Sequence, residues 1–215
     1  MRIAPEGRVF VLIGVALLLV FVVVATRLGG YWMALPVAWL PIALWIPAFF
    51  RDPSRDGPRG DHLALAPADG RVVSIVEIEE PDVVQGRALR IAVFMNVFNV
   101  HVNRHPVSGT VIHRDYRPGR FFNASLDKSS ADNERMSLGV RGARGPVLIR
   151  QIAGLVARRI VTDPAEGARV EQGTRLGLIR FGSRVDTYLP AGAQPRVRVG
   201  DRTRAGVTVI AEWPS

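Results

Sequence analysis

The sequence predicts a mainly β domain of short strands behind an amino-terminal hairpin of membrane helices. Three observations carry this. Two long stretches near the amino terminus, Val9 to Thr26 and Met33 to Phe50, contain no charged residue. A polar Pro/Gly segment, Arg51 to Asp61, follows them. Beyond it the chain becomes a succession of β-branched runs punctuated by Gly and Pro, without a sustained helical period apart from a short helix-prone stretch near Ser125 to Glu134. The expected organisation is an anchor over residues 1–50, a linker over 51–61 and a β domain over 62–215.

The first apolar run is eighteen residues of mostly Val, Leu and Phe, about 27 Å as a helix against a hydrocarbon core of roughly 30 Å. It exceeds the apolar core of a signal peptide, and no clear small-residue cleavage site follows it. The second run holds Pro36, Pro41 and Pro47 with Trp32, Trp39 and Trp45 along it, a composition compatible with spanning, kinking or re-entering the bilayer. Arg2 and Arg8 precede the pair, Arg51, Arg55 and Arg59 follow it, and Arg27 stands alone between the runs. The positive-inside bias therefore places both chain ends, and the whole β domain, on the cytoplasmic side of the cell membrane.

The net charge of +9 is carried almost wholly by arginine, since Lys128 is the sole lysine; setting aside Arg2, Arg8, Arg27 and Glu6 leaves +7 beyond the anchor. Such an excess suits an anionic partner, and few aromatic residues stand among the arginines, which favours a lipid surface over nucleic acid. Cysteine is absent, which excludes disulfides, thiolate metal sites and a cysteine nucleophile.

The strand-like runs include Val72 to Ile78, Leu89 to Val97, Val147 to Ile152, Arg175 to Phe181, Val185 to Leu189 and Val207 to Glu212, and they predict a β-sandwich or barrel. Two echoes mark an internal repeat. Pro67-Ala68-Asp69-Gly70-Arg71-Val72 recurs as Pro106-Val107-Ser108-Gly109-Thr110-Val111, and Val170-Glu171-Gln172-Gly173 recurs more loosely as Val197-Arg198-Val199-Gly200. These Gly turns resemble those of lipoyl- and biotinyl-carrier folds, in which two related hairpin layers form a flattened, carrier-like barrel-sandwich.

Three short stretches carry chemistry only when taken together. Leu176 to Asp186 breaks an apolar strand at Gly182-Ser183 and resumes as another; a hairpin turn explains this blandly, whereas a Ser hydroxyl attacking the carbonyl before it explains it as a self-cleaving bond. His101 and His105 lie in Asn99-Val100-His101-Val102-Asn103-Arg104-His105-Pro106. Their i, i+4 spacing aligns metal ligands only on a helix, and Pro106 with the β-branched surroundings opposes a helix, so no metal is expected. Asp69 in Ala-Asp-Gly is ordinary turn chemistry by itself.

In their order, Pro67-Ala68-Asp69-Gly70, Asn99 to Arg104 and Phe181-Gly182-Ser183 resemble the landmarks of the phosphatidylserine decarboxylase family in its short form. Pro118 to Lys128, closed by Asn133-Glu134-Arg135, is similar to that form too, and the resemblance covers roughly residues 60–212 plus the apolar amino terminus. It implies a pyruvoyl-dependent lyase made as a zymogen. Ser183 would attack the Gly182 carbonyl, elimination would break the chain, and hydrolysis would leave a pyruvoyl group on a new amino terminus. A β chain of residues 1–182 and an α chain of 33 residues, 183–215, would result. The substrate implied is phosphatidylserine and the product phosphatidylethanolamine. The ketone would form a Schiff base with the lipid's amine and accept the electron pair released with carbon dioxide, the role pyridoxal phosphate plays elsewhere.

The resemblance makes Asp69, His101 and Ser183 a processing triad, with His101 as base and also as proton donor to the decarboxylated carbon. Longer relatives carry two histidines three apart here; this chain has Arg104 at the second position and His105 one residue later. Arg114, Arg117 and Arg120, interleaved with Tyr116, Phe121 and Phe122, read either as a solvated edge or as forks for the lipid phosphate. The sequence leaves a higher homo-oligomer open. A rival from another class is a membrane-anchored, carrier-like adaptor without catalysis, which explains the anchor and Gly turns but not the joint presence of Asp69, His101 and Gly182-Ser183. Soluble pyruvoyl decarboxylases of free amino acids are a lesser alternative, since such substrates give no reason for a bilayer anchor.

Overall fold

A computed structural model describes residues 2–119, 133–154, 159–180 and 182–214. The chain divides into two compact units, Met1–Ser54 and Arg55–Ser215.

The first unit is a helix pair. α1 (Arg8–Leu28) and α2 (Ala34–Phe49) are joined by a 3₁₀ turn at Gly30–Met33. At 1.5 Å per residue, the 21 residues of α1 reach about 32 Å, enough to cross a hydrocarbon core. Their outer flanks are apolar, with Leu12, Leu19, Val37 and Leu44 exposed, as lipid contact requires and water would penalise. Between them Trp39 donates Nε1–H to the Gly14 carbonyl (2.9 Å), and Phe21 meets Trp39 edge to face (5.8 Å). Pro41 and Pro47 lie inside α2 without ending it, as proline is tolerated in membrane helices. Short strands β1 (Arg2–Ile3) and β2 (Arg51–Asp52) pair antiparallel, so the entry and exit of the unit meet. Membrane association follows from two helices this long and apolar.

The second unit is all β. Its strands are β3 (Leu63–Leu65), β4 (Gly70–Glu80), β5 (Gly86–Met95), β6 (Val102–Arg104), β7 (Gly109–Arg117), β8 (Arg135–Gly142), β9 (Gly145–Ala153) and β10 (Ile160–Thr162). β11 (Arg169–Val170), β12 (Arg175–Ile179), β13 (Ser183–Pro190), β14 (Gln194–Pro195), β15 (Arg202–Thr203) and β16 (Val209–Glu212) complete it. An eight-stranded antiparallel sheet runs β11-β7-β8-β9-β13-β5-β4-β15; β10-β12-β6 and β14-β16-β3 form two smaller sheets. The mainly β expectation is met.

The echo of Pro67–Val72 in Pro106–Val111 is a structural repeat. Gly70 and Gly109 each open a long strand, and a Cβ at either would run into a backbone carbonyl of the paired strand, Phe94 and Arg141 respectively. Val72 exchanges backbone hydrogen bonds with Gly200 and Asp201, as Val111 does with Gly167 and Ala168. A register shift follows each, at Val72/Ser74 and Val111/His113. Halves β11-β7-β8-β9 and β15-β4-β5-β13 therefore mirror one another, and the sheet seam falls between β9 and β13. The looser echo holds as well: Thr174 N–H to Glu171 and Asp201 N–H to Arg198 close equivalent turns, each 3.1 Å.

The core lies on the inner face of the large sheet, where Ile91, Val93, Met95, Leu138, Val140, Ile149, Val185 and Leu189 meet Leu176 and Ile179 of β12 and Ile210 of β16. Each such side chain contributes about 1.5–3 kcal/mol by leaving water. The Arg55 to Asp61 segment packs on this unit: Arg59 donates to the Gly206 carbonyl (3.1 Å), and Gln172 accepts from Gly60 N–H (3.0 Å).

Candidate active site

Ser183 is the first residue of β13, the strand at the sheet seam, and is paired on both sides, with Met95 of β5 and Ala153 of β9. Such double pairing buries it completely, and its Oγ has no hydrogen-bond partner. A buried hydroxyl without a partner costs roughly 1–3 kcal/mol, the kind of cost that persists at functional positions. Gly182 sits at φ +54°, in the left-handed region that favours glycine. The Gly182-Ser183 step is thus backbone turning sharply into a rigid strand.

His101 reaches the same place from another direction. β6 pairs with β12 at Val102↔Leu178 and Asn103↔Gly177, so His101 stands beside the end of β12 that leads, through residues 180–182, into Ser183. Asn103 points at the inner face of the large sheet, donating to Met95 Sδ (3.5 Å) and accepting from Gln151 Nε2 (2.8 Å). His101 stands just ahead of this strand, two residues before Asn103, which touches Met95, the pairing partner of Ser183. His101 is fully buried, and its Nδ1 lies 3.0 Å from the Asn99 carbonyl. A carbonyl only accepts, so a neutral ring carries its proton on Nδ1 and presents Nε2 as the basic nitrogen.

Asp69 precedes β4, whose Arg71 pairs with Phe94, one residue from Met95. It is gripped from two sides, by Arg55 Nη2 (2.6 Å to Oδ2) and by Ala205 N–H (2.7 Å to Oδ1). The starts of β4, β13 and the loop before β6 therefore converge at one end of the large sheet.

Residues 42–211 match the phosphatidylserine decarboxylase family. The chain is 47% identical over 213 residues to the phosphatidylserine decarboxylase proenzyme of Aromatoleum aromaticum, covering 99% of this chain and 96% of that one. It is 48% identical over 215 residues to the proenzyme of Symbiobacterium thermophilum, with the same coverage, and 49% identical over 199 residues to that of Paramagnetospirillum magneticum, covering 91% and 83%. The chain belongs to the phosphatidylserine decarboxylase family. Its activity is that of a carboxy-lyase converting phosphatidylserine to phosphatidylethanolamine, with a pyruvoyl group made from a serine of its own chain and cleavage of the proenzyme into two chains. The adaptor reading and the amino acid decarboxylase reading lose their basis with this membership.

Within this decarboxylase, His105 lies at the other end of β6. Four residues at about 3.3 Å separate it from His101 by roughly 13 Å. It exchanges backbone hydrogen bonds with Thr174 and Gly173 and borders an open groove of about 450 Å³ lined by Asp163, Pro164, Arg169, Glu171 and Arg175. Its ring is 1% exposed, Nδ1 has no partner, and desolvation pushes its pKa down to about 4.

The arginines read as headgroup forks stand apart from Ser183. Arg114 borders a second groove with Asp163 and Glu166. Arg117 pairs with Asp115 (2.7 Å), and the register Arg117↔Arg135↔Ile152↔Arg184 sets it three strands, about 14 Å, from β13. Arg120, with Phe121 and Phe122, lies outside the described residues, as do Phe181 and most of the Ser125 to Glu134 stretch.

Several residues at this end were not singled out from the sequence. Arg55, which grips Asp69, lay in a segment read as a linker. Asn103, Gln151 and Thr162 form a buried chain, Thr162 Oγ1 donating to Gln151 Oε1 (2.6 Å), that ties the His101 strand to the Ser183 sheet. Arg184 and Asp186 form a bidentate pair (2.6 and 2.7 Å) with side chains 1% and 0% exposed, on the outer face of β13. Only that last pair had a readable signal: opposite charges two apart in a strand share a face.

Proposed function

We propose that Ser183 is the serine converted to the pyruvoyl group, that the chain breaks between Gly182 and Ser183, and that His101 and Asp69 assist. The observation that carries this is the buried, unpartnered Ser183 Oγ one residue after a left-handed glycine. His101 Nε2 takes the hydroxyl proton as Ser183 Oγ attacks the Gly182 carbonyl carbon; the C–N bond opens and an ester with a free Ser183 amine remains. Loss of the Ser183 α-proton expels the Gly182 carboxylate, and water then replaces the nitrogen as ammonia. Asp69 positions this end of the site: each carboxylate oxygen can accept a second hydrogen bond, so the grip of Arg55 and Ala205 orients it without exhausting it.

After cleavage, residues 183–215 remain in place because β13 keeps its ladders to both β5 and β9. The pyruvoyl group, once formed, supplies an electron sink for the departing carboxylate's electron pair. His101, held through Nδ1 by the Asn99 carbonyl, then returns a proton to the substrate carbon. His105, neutral near pH 7 and at the far end of β6, stays outside the chemistry. Arg114 and Arg117 meet lipid phosphates at the rim of the domain.

The purified protein should release carbon dioxide from phosphatidylserine without added pyridoxal phosphate or metal, and lose that activity to hydroxylamine or to borohydride with substrate. Full activity after either reagent would sink the assignment. We also place the β domain on the cytoplasmic side, on the arginine asymmetry and the meeting of β1 with β2. A reporter active only outside the inner membrane, fused at Ser215, should stay silent; a strong signal reverses the topology.

A further inference from the structure

The sheet end that carries Ser183 also displays the exposed aromatic side chains of the domain. Outside the helix pair, the large apolar side chains exposed among the described residues are Val76, Phe98, Tyr116 and Val199, and Phe98 leads at 71%. It follows β5 directly, two residues after Asn96, in the loop that ends at His101. This loop is stiff. Asn96 Oδ1 accepts from Phe98 N–H (2.9 Å), Asn99 Oδ1 accepts from Asn96 N–H (2.9 Å), and Asn99 N–H donates to the Asn96 carbonyl (3.1 Å). The ring is therefore held outward by the turn that also supplies the carbonyl orienting His101.

Charge and position agree with an interfacial role. Arg71, paired with Phe94 beside this loop, is exposed, and so is its neighbour across the ladder, Arg202. Tyr116, 51% exposed, stands four strand spacings away, about 19 Å along the sheet, with Arg117 next to it. The far end of the β4–β5 hairpin instead exposes Glu79 and Asp82, with Glu77 paired to Arg87 (2.5 Å), a composition with little attraction for anionic lipid. Aromatic rings settle at the headgroup layer and arginine forks suit lipid phosphates.

Resting on the Ser183 assignment above, we propose that this end of the β domain docks on the bilayer, with Phe98 entering the headgroup layer, Tyr116 at the rim and Arg71 and Arg117 on lipid phosphates. The 96–99 loop is then both the bilayer contact and the support of His101, so a serine headgroup is taken up beside the residues that act on it.

Because the chain has no cysteine, Phe98→Cys, Tyr116→Cys and Glu79→Cys each carry one environment-sensitive fluorophore on the full chain in phosphatidylserine vesicles with brominated acyl chains. Emission at position 98 should be quenched about threefold more than at 79, with 116 between them, as interfacial depth dictates. Equal quenching at 98 and 79, or protection of 98 by a second copy of the chain without quenching, overturns the proposal. The same readings taken in a Ser183→Ala background require no chemistry, so a failure of the Ser183 assignment is seen separately. Phe98→Ser should lower the ratio of the vesicle rate to the rate on a short-chain soluble phosphatidylserine about tenfold; an unchanged ratio also overturns it.

Discussion

Intact-mass measurement of the purified protein should find two chains, residues 1–182 and the 33-residue 183–215, the shorter resistant to amino-terminal sequencing because a ketone replaces its amine. Ser183→Ala should give one chain of 215 residues and no decarboxylation. The variant separates chemistry from folding unusually well. Ser183 Oγ is buried and has no hydrogen-bond partner, so removing it strands no donor or acceptor, and the thermal midpoint should hold or rise slightly. Ser183→Cys should cleave slowly, since a thiol makes the same attack. His101→Ala should slow cleavage by about 10²-fold or more as a lost general base, and Asp69→Ala should slow it less. A wild type that stays whole, or a Ser183→Ala protein that still divides at this bond, would overturn the assignment.

The second large effect is on stability in acid and belongs to His105. Its ring is neutral in the fold with a pKa near 4, against 6.5 when exposed. Well above pH 6.5 the group is neutral in both states and adds no pH dependence. Between pH 6.5 and 4 the unfolded chain takes up a proton that the folded chain refuses, so stability falls with falling pH, by about 3 kcal/mol once the pH is below 4. Asp163, Glu171, Arg104, Arg169 and Arg175 lie around the same groove or strand and are common to wild type and variant. The difference between wild type and His105→Leu removes their contribution. Denaturation of the full chain in detergent at pH 7 and at pH 4 should show the wild type losing about 3 kcal/mol relative to the variant; a difference independent of pH would refute the buried neutral histidine.

The motifs of the candidate site stand out in the sequence because the residues involved are rare in kind or fixed by backbone need. The order of Ala-Asp-Gly, Asn-Val-His and Gly-Ser is a local pattern, and the repeat around Gly70 and Gly109 is visible because a Cβ at either position would strike a carbonyl across the ladder. The arginines read as forks for a lipid phosphate were a weaker inference from composition. A cluster such as Arg114, Tyr116 and Arg117 alternates faces along β7, and sequence proximity says nothing about the three strands that separate β7 from β13. Arg55 was hidden by its surroundings, since Pro/Gly-rich chain reads as linker whether or not one of its side chains is buried against a carboxylate.

The sequence by itself determined the two apolar helices, the strand-rich domain, the absence of thiol chemistry and the motifs that carry the family resemblance, because hydrophobic period, residue type and turn chemistry are local properties. Only the tertiary structure decided that β13 lies at the seam of the large sheet, that His101 is buried beside the end of β12 that leads to Ser183 while His105 stands at the other end of β6, and that Arg55 and Ala205 hold Asp69. These depend on strand order and register, which are set by how hydrophobic faces and Gly-permitted close approaches fit together across long stretches of chain. A strand's two-residue period says which side chains share a face; the packing of one sheet on another says what that face meets.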